Sequence, residues 1–458
     1  MTIPFQHPAI PASFESGLAL FKRPTVNATS FFDLFALLLA FCAVFGWINA
    51  RIGKLPGAIG LTAVAMASSL ALFAVGRVFP DASRAIALLY TKVSLPETLF
   101  HGMLAFLLFA GAMHVDAKAL WAQKRFIFIL STVSVVISTL VFGGLFHALA
   151  QALGVSVNWG FAFLMGAVAS PTDPVCAMAL LKKAGLSKAL EAKIAGESLL
   201  NDGVAMLAFA AALPFALDGS GAQTFHFGAL LLDLGREAAL AVATGLIVGF
   251  VCHWAVDSIE HAPTEIMLSL AAAAGTWAIA ERLHASPALA VVCCGLVVGL
   301  GSPKSLSKKA RERFNPFWET LDEILNAILF SIIGIHALLL AHINAPWLLA
   351  GSAIAIALAA RWISVALPLL GLRPLLGPLP PKGLSLLTWG GIRGGITVAL
   401  ALSTPAAMDN RDLLICASYA IVAFSILVQG ISLPWLANRA HGCAQAKDLE
   451  GDGSDRSD

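Results

Sequence analysis

Residues 170–174 read Ser170-Pro171-Thr172-Asp173-Pro174, and residues 196–203 read Gly196-Glu197-Ser198-Leu199-Leu200-Asn201-Asp202-Gly203. Both stretches stand inside apolar runs. A carboxylate at membrane depth costs several kcal/mol, about 2.5–3.5 kcal/mol even on the mild insertion scale. Chains keep such acids mainly to handle ions or protons. Asp173, Glu197 and Asp202 are therefore the first candidates for function.

The surrounding composition sets the solvent. The chain has 458 residues, 58% hydrophobic and only 12% charged, with a mean hydropathy of +0.83. A soluble domain is nearer about 25% charged. The reading is an all-α polytopic membrane protein. Its apolar runs are long enough to cross a hydrocarbon core of about 30 Å as helices, and the alternating ten-residue strands of a barrel are not visible. The formal charge of +2 says little about partners, and no nucleic-acid partner is expected. Membrane lipid is the expected surrounding. The seven cysteines show no metal or redox spacing, and no cofactor is expected. Residues 1–30 are broken up by prolines and do not read as a signal peptide.

About thirteen spans follow from the apolar runs: 31–50, 57–77, 97–114, 126–150, 157–182, 190–216, 228–255, 264–281, 286–301, 319–342, 347–370, 383–404 and 411–437. An odd number puts the termini on opposite sides. With the N-terminus outside, the outer segments hold only Lys22, Arg23, Arg77, Arg84, Lys92, Arg282 and Arg411, and the other loop lysines and arginines lie inside. The positive-inside rule then places the C-terminus in the cytoplasm of a bacterial-type inner membrane. Residues 1–30 form an extracytoplasmic tail, 31–437 the transmembrane domain and 438–458 a short, acidic cytoplasmic tail.

Two of these spans should be broken. Pro171 and Pro174 flank Asp173 in span five. Each removes an amide donor and clashes with the preceding turn, so the helix should open near Thr172. Span twelve carries Gly390-Gly391-Ile392-Arg393-Gly394-Gly395, whose glycines weaken a helix in mid-span. If spans one to six and eight to thirteen are two units joined by span seven, five corresponds to twelve. The second unit then runs inside-out relative to the first. Interrupted spans at matching places of inverted repeats point to a transporter site at the midplane.

Helical spacing divides the acids. Residues four apart share a face, so Glu197 pairs with Asn201 and Ser198 with Asp202. Asp202 is about 140° round from Glu197 at about 3.6 residues per turn. Ser198 and Asp202 should face the break in span five and meet Asp173. Glu197 should face another charge, and Arg393 is the expected partner, as a structural ion pair holding spans six and twelve together. Two carboxylates, a hydroxyl and a freed backbone carbonyl form a hard-oxygen cage that suits a small alkali cation; divalent hard cations fit the same donors. Burial and a neighbouring like charge both disfavour an ionised carboxylate. Protonation and cation binding then compete for the same oxygens, which is proton-coupled exchange.

At these motifs the chain resembles the monovalent cation:proton antiporter-1 family, the prokaryotic sodium/proton antiporters of the NhaP type and their eukaryotic NHE relatives. Ser170–Pro174, Gly196–Asp202 and Gly390–Gly394 carry the likeness, and Phe317–Phe330 is similar to the family's tenth span. The resemblance covers roughly residues 31–437. It implies an NhaA/NhaP-like antiporter fold and a homodimer, with a core from spans 4–6 and 11–13 moving against a dimerisation part made of the rest. It implies that Asp173 and Asp202 bind Na⁺ and H⁺ while the Thr172 carbonyl and Ser198 complete the shell. The Asn201-Asp202 form implies electroneutral one-for-one exchange.

The leading expectation is thus exchange of Na⁺, and also Li⁺, for H⁺ by alternating access, not enzymatic turnover. Potassium as the main cation of the same fold is the alternative, since the cage separates ions of one charge poorly. An intramembrane aspartyl enzyme using Asp173 and Asp202 is a third reading, disfavoured by the paired breaks. Arg361 reads as structural, and Glu319, Asp322 and Glu323 as interfacial charge.

Overall fold

A computed structural model describes residues 28–53, parts of 60–68, and 103–173, 188–217, 227–301, 308–336, 346–376, 379 and 382–439. Among these residues the ordered structure is helical. In chain order the helices are α1 (Ala28–Ile48), α2 (Leu104–His114), α3 (Ala117–Ala122), α4 (Lys124–Ala152), α5 (Trp159–Val168), α6 (Lys188–Leu217), α7 (Phe227–Asp257), α8 (Ala262–Arg282), α9 (Pro287–Gly301), α10 (Lys308–His336), α11 (Trp347–Gly371), α12 (Arg373–Leu376), α13 (Gly383–Trp389), α14 (Gly395–Ser403) and α15 (Arg411–Phe424). A wider π turn, Ser425–Gly430, carries α15 on to Arg439.

The ends of these helices follow from local chemistry. Asp116 caps α3 by accepting the Lys118 and Ala119 amides at 2.9 and 3.2 Å. Asn158 caps α5 by accepting the Phe161 amide at 2.6 Å. Between α8 and α9 the chain reverses at His284, whose φ of 51° lets Ala285 N–H close on Ala280 O at 2.9 Å. The sequence divides spans eight and nine at this same place.

Observed and expected spans agree within a few residues for one, four, six to nine and eleven. Span ten differs: α10 begins at Lys308 and not near 319. Its first turns are too charged to register as an apolar run, yet Phe314 and Trp318 are buried on one face, so amphipathic packing extends the helix. The greater part of span two, both tails, the second half of span five and the residues Pro174, Cys176 and Cys443 lie outside the described residues. The remaining five cysteines are free thiols.

Helix α5 is wedged between α4 and α6, with backbones in direct contact. A Cβ on Gly166 would fall 2.4 Å from Thr139 O, and one on Gly160 would fall 2.1 Å from Phe215 O. Small residues permit this approach where no hydrophobic force acts between helices in lipid. The packing fixes where α5 ends, and its end is the start of the first break.

Candidate functional site

The backbone opens at both predicted places, the continuation after Asp173 lying outside the described residues. After α5 the backbone leaves helical geometry through Ser170–Asp173, and between α13 and α14 it does so through residues 390–394. The two open segments touch: the Asp173 amide donates to Ile392 O at 2.7 Å. Gly394 lies directly under the Asp173 side chain, where an added Cβ would come 2.5 Å from Asp173 Oδ2. Only glycine fits there. Non-helical backbone at this depth is stable because each segment supplies polar partners to the other.

Opening a helix strands carbonyls at its C-terminal end and amides at its N-terminal end. Arg393 meets the first kind. Its Nε donates to Ala169 O at the end of α5, and its Nη1 donates to Gly391 O just beyond α13 at 2.8 Å. Its backbone amide donates to Ser425 Oγ at 3.0 Å. One guanidinium therefore serves the negative ends of two half-helices, while Asp173 lies beside the positive N-terminus of α14.

The expected Glu197–Arg393 pair does not form. Glu197, buried in α6, accepts two hydrogen bonds from Arg361 of α11, Nη1 to Oε1 at 2.7 Å and Nη2 to Oε2 at 2.8 Å. Arg361 Nη2 also reaches Leu387 O at 3.2 Å. The reason is competition: the stranded carbonyls hold Arg393, and Arg361 has a planar fork that matches a carboxylate face on. Gly391 sits between the two guanidinium groups; a Cβ there would lie 2.6 Å from Arg361 Nε.

Ser198, Asn201 and Asp202 face the first break; Asn201, expected on the Glu197 face, turns instead to the carbonyl and hydroxyl that the break presents. Ser198 Oγ donates to Thr172 O at 2.7 Å. The Thr172 hydroxyl lies 2.8 Å from Ser198 Oγ, and Asn201 Nδ2 donates to both Thr172 Oγ1 and Ser170 O at 3.1 Å. With the Ser198 proton on the carbonyl, the Thr172 hydroxyl donates to Ser198 Oγ and accepts from Asn201. This chain of bonds fixes the break against α6. The predicted Thr172 carbonyl is thus already engaged by Ser198, with one lone pair left.

Asp202 is 2% exposed. Its Oδ1 has no hydrogen-bond partner among the described residues, nor does Asn201 Oδ1. Asp202 and Asp173 line one cavity of about 50 Å³. That is room for roughly three waters. Its other walls include Thr172, Gly394 and Gly395, with Asn326 from α10. Asn326 was not singled out in the sequence. Its Nδ2 donates to Asp322 O and Oδ1 at 2.9 and 3.0 Å. Both Nδ2 partners are acceptors, so the amide orientation is set. The one sequence signal was the i, i+4 spacing of Asp322 and Asn326. The geometry thus brings Asp173, Thr172, Ser198, Asn201 and Asp202 together and sets Glu197 and Arg393 apart from each other.

A family model described as sodium/hydrogen exchanger, transmembrane, matches residues 36–439. The chain is 36% identical over 428 residues to the Na(+)/H(+) antiporter NhaP of Pseudomonas aeruginosa, covering 92% of this chain and 99% of that one. It is 30% identical over 395 residues to the Na(+)/H(+) antiporter NhaH of Halobacillus aidingensis, covering 82% and 94%. Among solved structures it shares its fold with the sodium proton antiporter MjNhaP1 of Methanocaldococcus jannaschii at pH 8. The TM-score is 0.68 at 18% identity, over 89% of this chain and 98% of that one.

Proposed function

The chain belongs to the sodium/hydrogen exchanger family, and on that premise we propose that Asp173 and Asp202 are the groups through which it exchanges Na⁺ for H⁺. It is a secondary transporter and not an enzyme. The family description and the relatives' names carry sodium, which favours Na⁺ over the K⁺ alternative.

One observation carries the assignment. Asp202 Oδ1 is buried, has no donor among the described residues and faces a cavity shared with a second carboxylate. A buried carboxylate oxygen must be protonated, hydrated or bound to a cation. The cavity offers these three states, and its described lining residues include no lysine or arginine. A hard-oxygen set from Asp173, Asp202, Ser198 and the Thr172 carbonyl suits Na⁺ or Li⁺. Ser198 and Thr172 are held by their mutual hydrogen bonds and Asn201. The site is thus shaped before the cation arrives, which lowers the cost of ordering on binding.

The Asn201-Asp202 form, by its resemblance to the family's Asn-Asp members, supports electroneutral exchange of one Na⁺ for one H⁺. The working unit is a homodimer in the bacterial inner membrane, N-terminus outside and C-terminus in the cytoplasm. Spans 4–6 and 11–13 form the moving core.

The test is reconstituted exchange with Na⁺, Li⁺ and K⁺ at several pH values, with and without a clamped membrane potential. The wild type should move protons against Na⁺ and Li⁺ independently of voltage. The Na⁺ concentration for half-maximal exchange should rise as pH falls, because protons occupy the same oxygens. Asp202→Asn should abolish Na⁺-driven proton movement; wild-type rates in that variant would refute the assignment.

A further inference from the structure

A groove of about 560 Å³ lies away from the carboxylates, between α11, α13 and the helix that ends at Arg439. That volume falls in the range of about 300–1,000 Å³ typical of small-molecule sites. Three tryptophans line it: Trp362, Trp389 and Trp435. Trp362 and Trp435 are exposed. Trp389 is fixed, its Nε1 donating to Ser432 Oγ at 2.8 Å.

The groove opens at one end of the molecule. α11 descends to Gly371, α13 starts after the following loop at Gly383, and the last helix arrives at Arg439. One membrane crossing separates each of these ends from its opposite, so all three stand on the same side. Arg439 lies over the Trp435 ring, 4.4 Å from its centroid, which parks a guanidinium at the groove mouth. Lys382, at the start of α13, stands one turn from Ser385 in the wall. Both cations are exposed. Residues 346–376, 382–403 and 425–439, which build the groove, contain no Asp or Glu. The wall is apolar with tryptophans, and the mouth is cationic, with no acidic counter-charge in these described segments.

We propose that this groove holds an anionic phospholipid of the leaflet at the chain's C-terminal side, its acyl chain against Trp362, Trp389 and Trp435 and its phosphate at Arg439 and Lys382. An apolar aromatic wall that takes an acyl chain and basic residues at the membrane edge that take a phosphate are the chemistry that recognises such a lipid. The occupant would bear on transport. Thr388 and Trp389 in the groove wall immediately precede the break that holds Arg393, and Thr388 also lines the small cavity beside Arg361 and Arg393. The bound lipid would thus press on the half-helix that ends at the ion site.

The test is native mass spectrometry of the full chain released from nanodiscs containing equal phosphatidylglycerol and phosphatidylcholine. The wild type should retain phosphatidylglycerol preferentially. Arg439→Gln and Lys382→Gln should each lower that preference by about fivefold, whereas Arg282→Gln, at the far end of α8, should leave it unchanged. Ala359→Trp, which fills the groove without touching charge, should lose the retained lipid. Equal retention of the two lipids by the wild type, or an unchanged preference in both basic variants, would overturn the proposal. A chain ending at Arg439 tests the other occupant. If phosphatidylglycerol is retained only after residues 440–458 are removed, the acidic tail fills the groove and the lipid assignment fails.

Discussion

Glu197 and Asp202 stand five residues apart on the same helix, both buried, and their surroundings are opposite. Glu197 is clamped by both Nη atoms of Arg361, and Arg361 rather than Glu197 lines the nearby cavity of only about 10 Å³. Asp202 has an oxygen without a partner and faces about 50 Å³ of free space with a second carboxylate. Burial is common to both, so burial does not mark function. What separates them is whether the charge is already answered by the protein. An answered charge joins helices; an unanswered one needs a ligand that can leave.

The comparison is broken most directly by neutralising each acid. Asp202→Asn should eliminate exchange while thermal unfolding in detergent stays at or above the wild-type temperature, because a desolvated charge is removed and no partner is stranded. Glu197→Gln should show the reverse weighting. It leaves Arg361 buried without its counter-ion, a loss of about 3–5 kcal/mol, read as a large drop in melting temperature and membrane yield. Replacing both members with Glu197→Gln and Arg361→Met should recover much of that stability. If the double variant is as unstable as the single one, the pair is not an isolated clamp.

A smaller effect sharpens the Asp202 side. Gly394→Ala would place a methyl 2.5 Å from Asp173 Oδ2. Overpacking of this kind costs about 1–3 kcal/mol, and here it falls on the carboxylate itself. The half-saturating Na⁺ concentration should rise and the melting temperature fall by a few degrees; Gly351→Ala, whose added methyl would meet nothing within 4 Å, should alter neither. Smallest is Asn201→Ala, which removes the bonds to Ser170 O and Thr172 Oγ1. It should cost about 1–3 kcal/mol of stability and slow exchange without abolishing it, as measured by proton flux in proteoliposomes.

The breaks and the Asp173–Asp202 meeting were legible because their signals are local. Prolines and glycines act on their own turn, and the 140° between Glu197 and Asp202 is a property of any helix. The partner of Glu197 was not legible. Arg361 lies in α11 with no neighbouring motif, and Arg393 stood in the glycine-rich stretch that drew attention. Choosing between them requires knowing that the opened helices strand the carbonyls of Ala169 and Gly391, a demand visible only in three dimensions. Asn326 was missed for a related reason: its charged neighbours on α10 look interfacial, but the helix starts earlier than hydropathy suggests and carries Asn326 into the cavity wall. The second half of span five lies outside the described residues.

The bond from the Asp173 amide to Ile392 O has a kinematic meaning. It ties two segments more than two hundred residues apart, and Arg393 adds a second tie to the end of α5. Neither open segment can slide without dragging the other. A movement that keeps both ties intact therefore carries α5, α13 and α14 together as a single body.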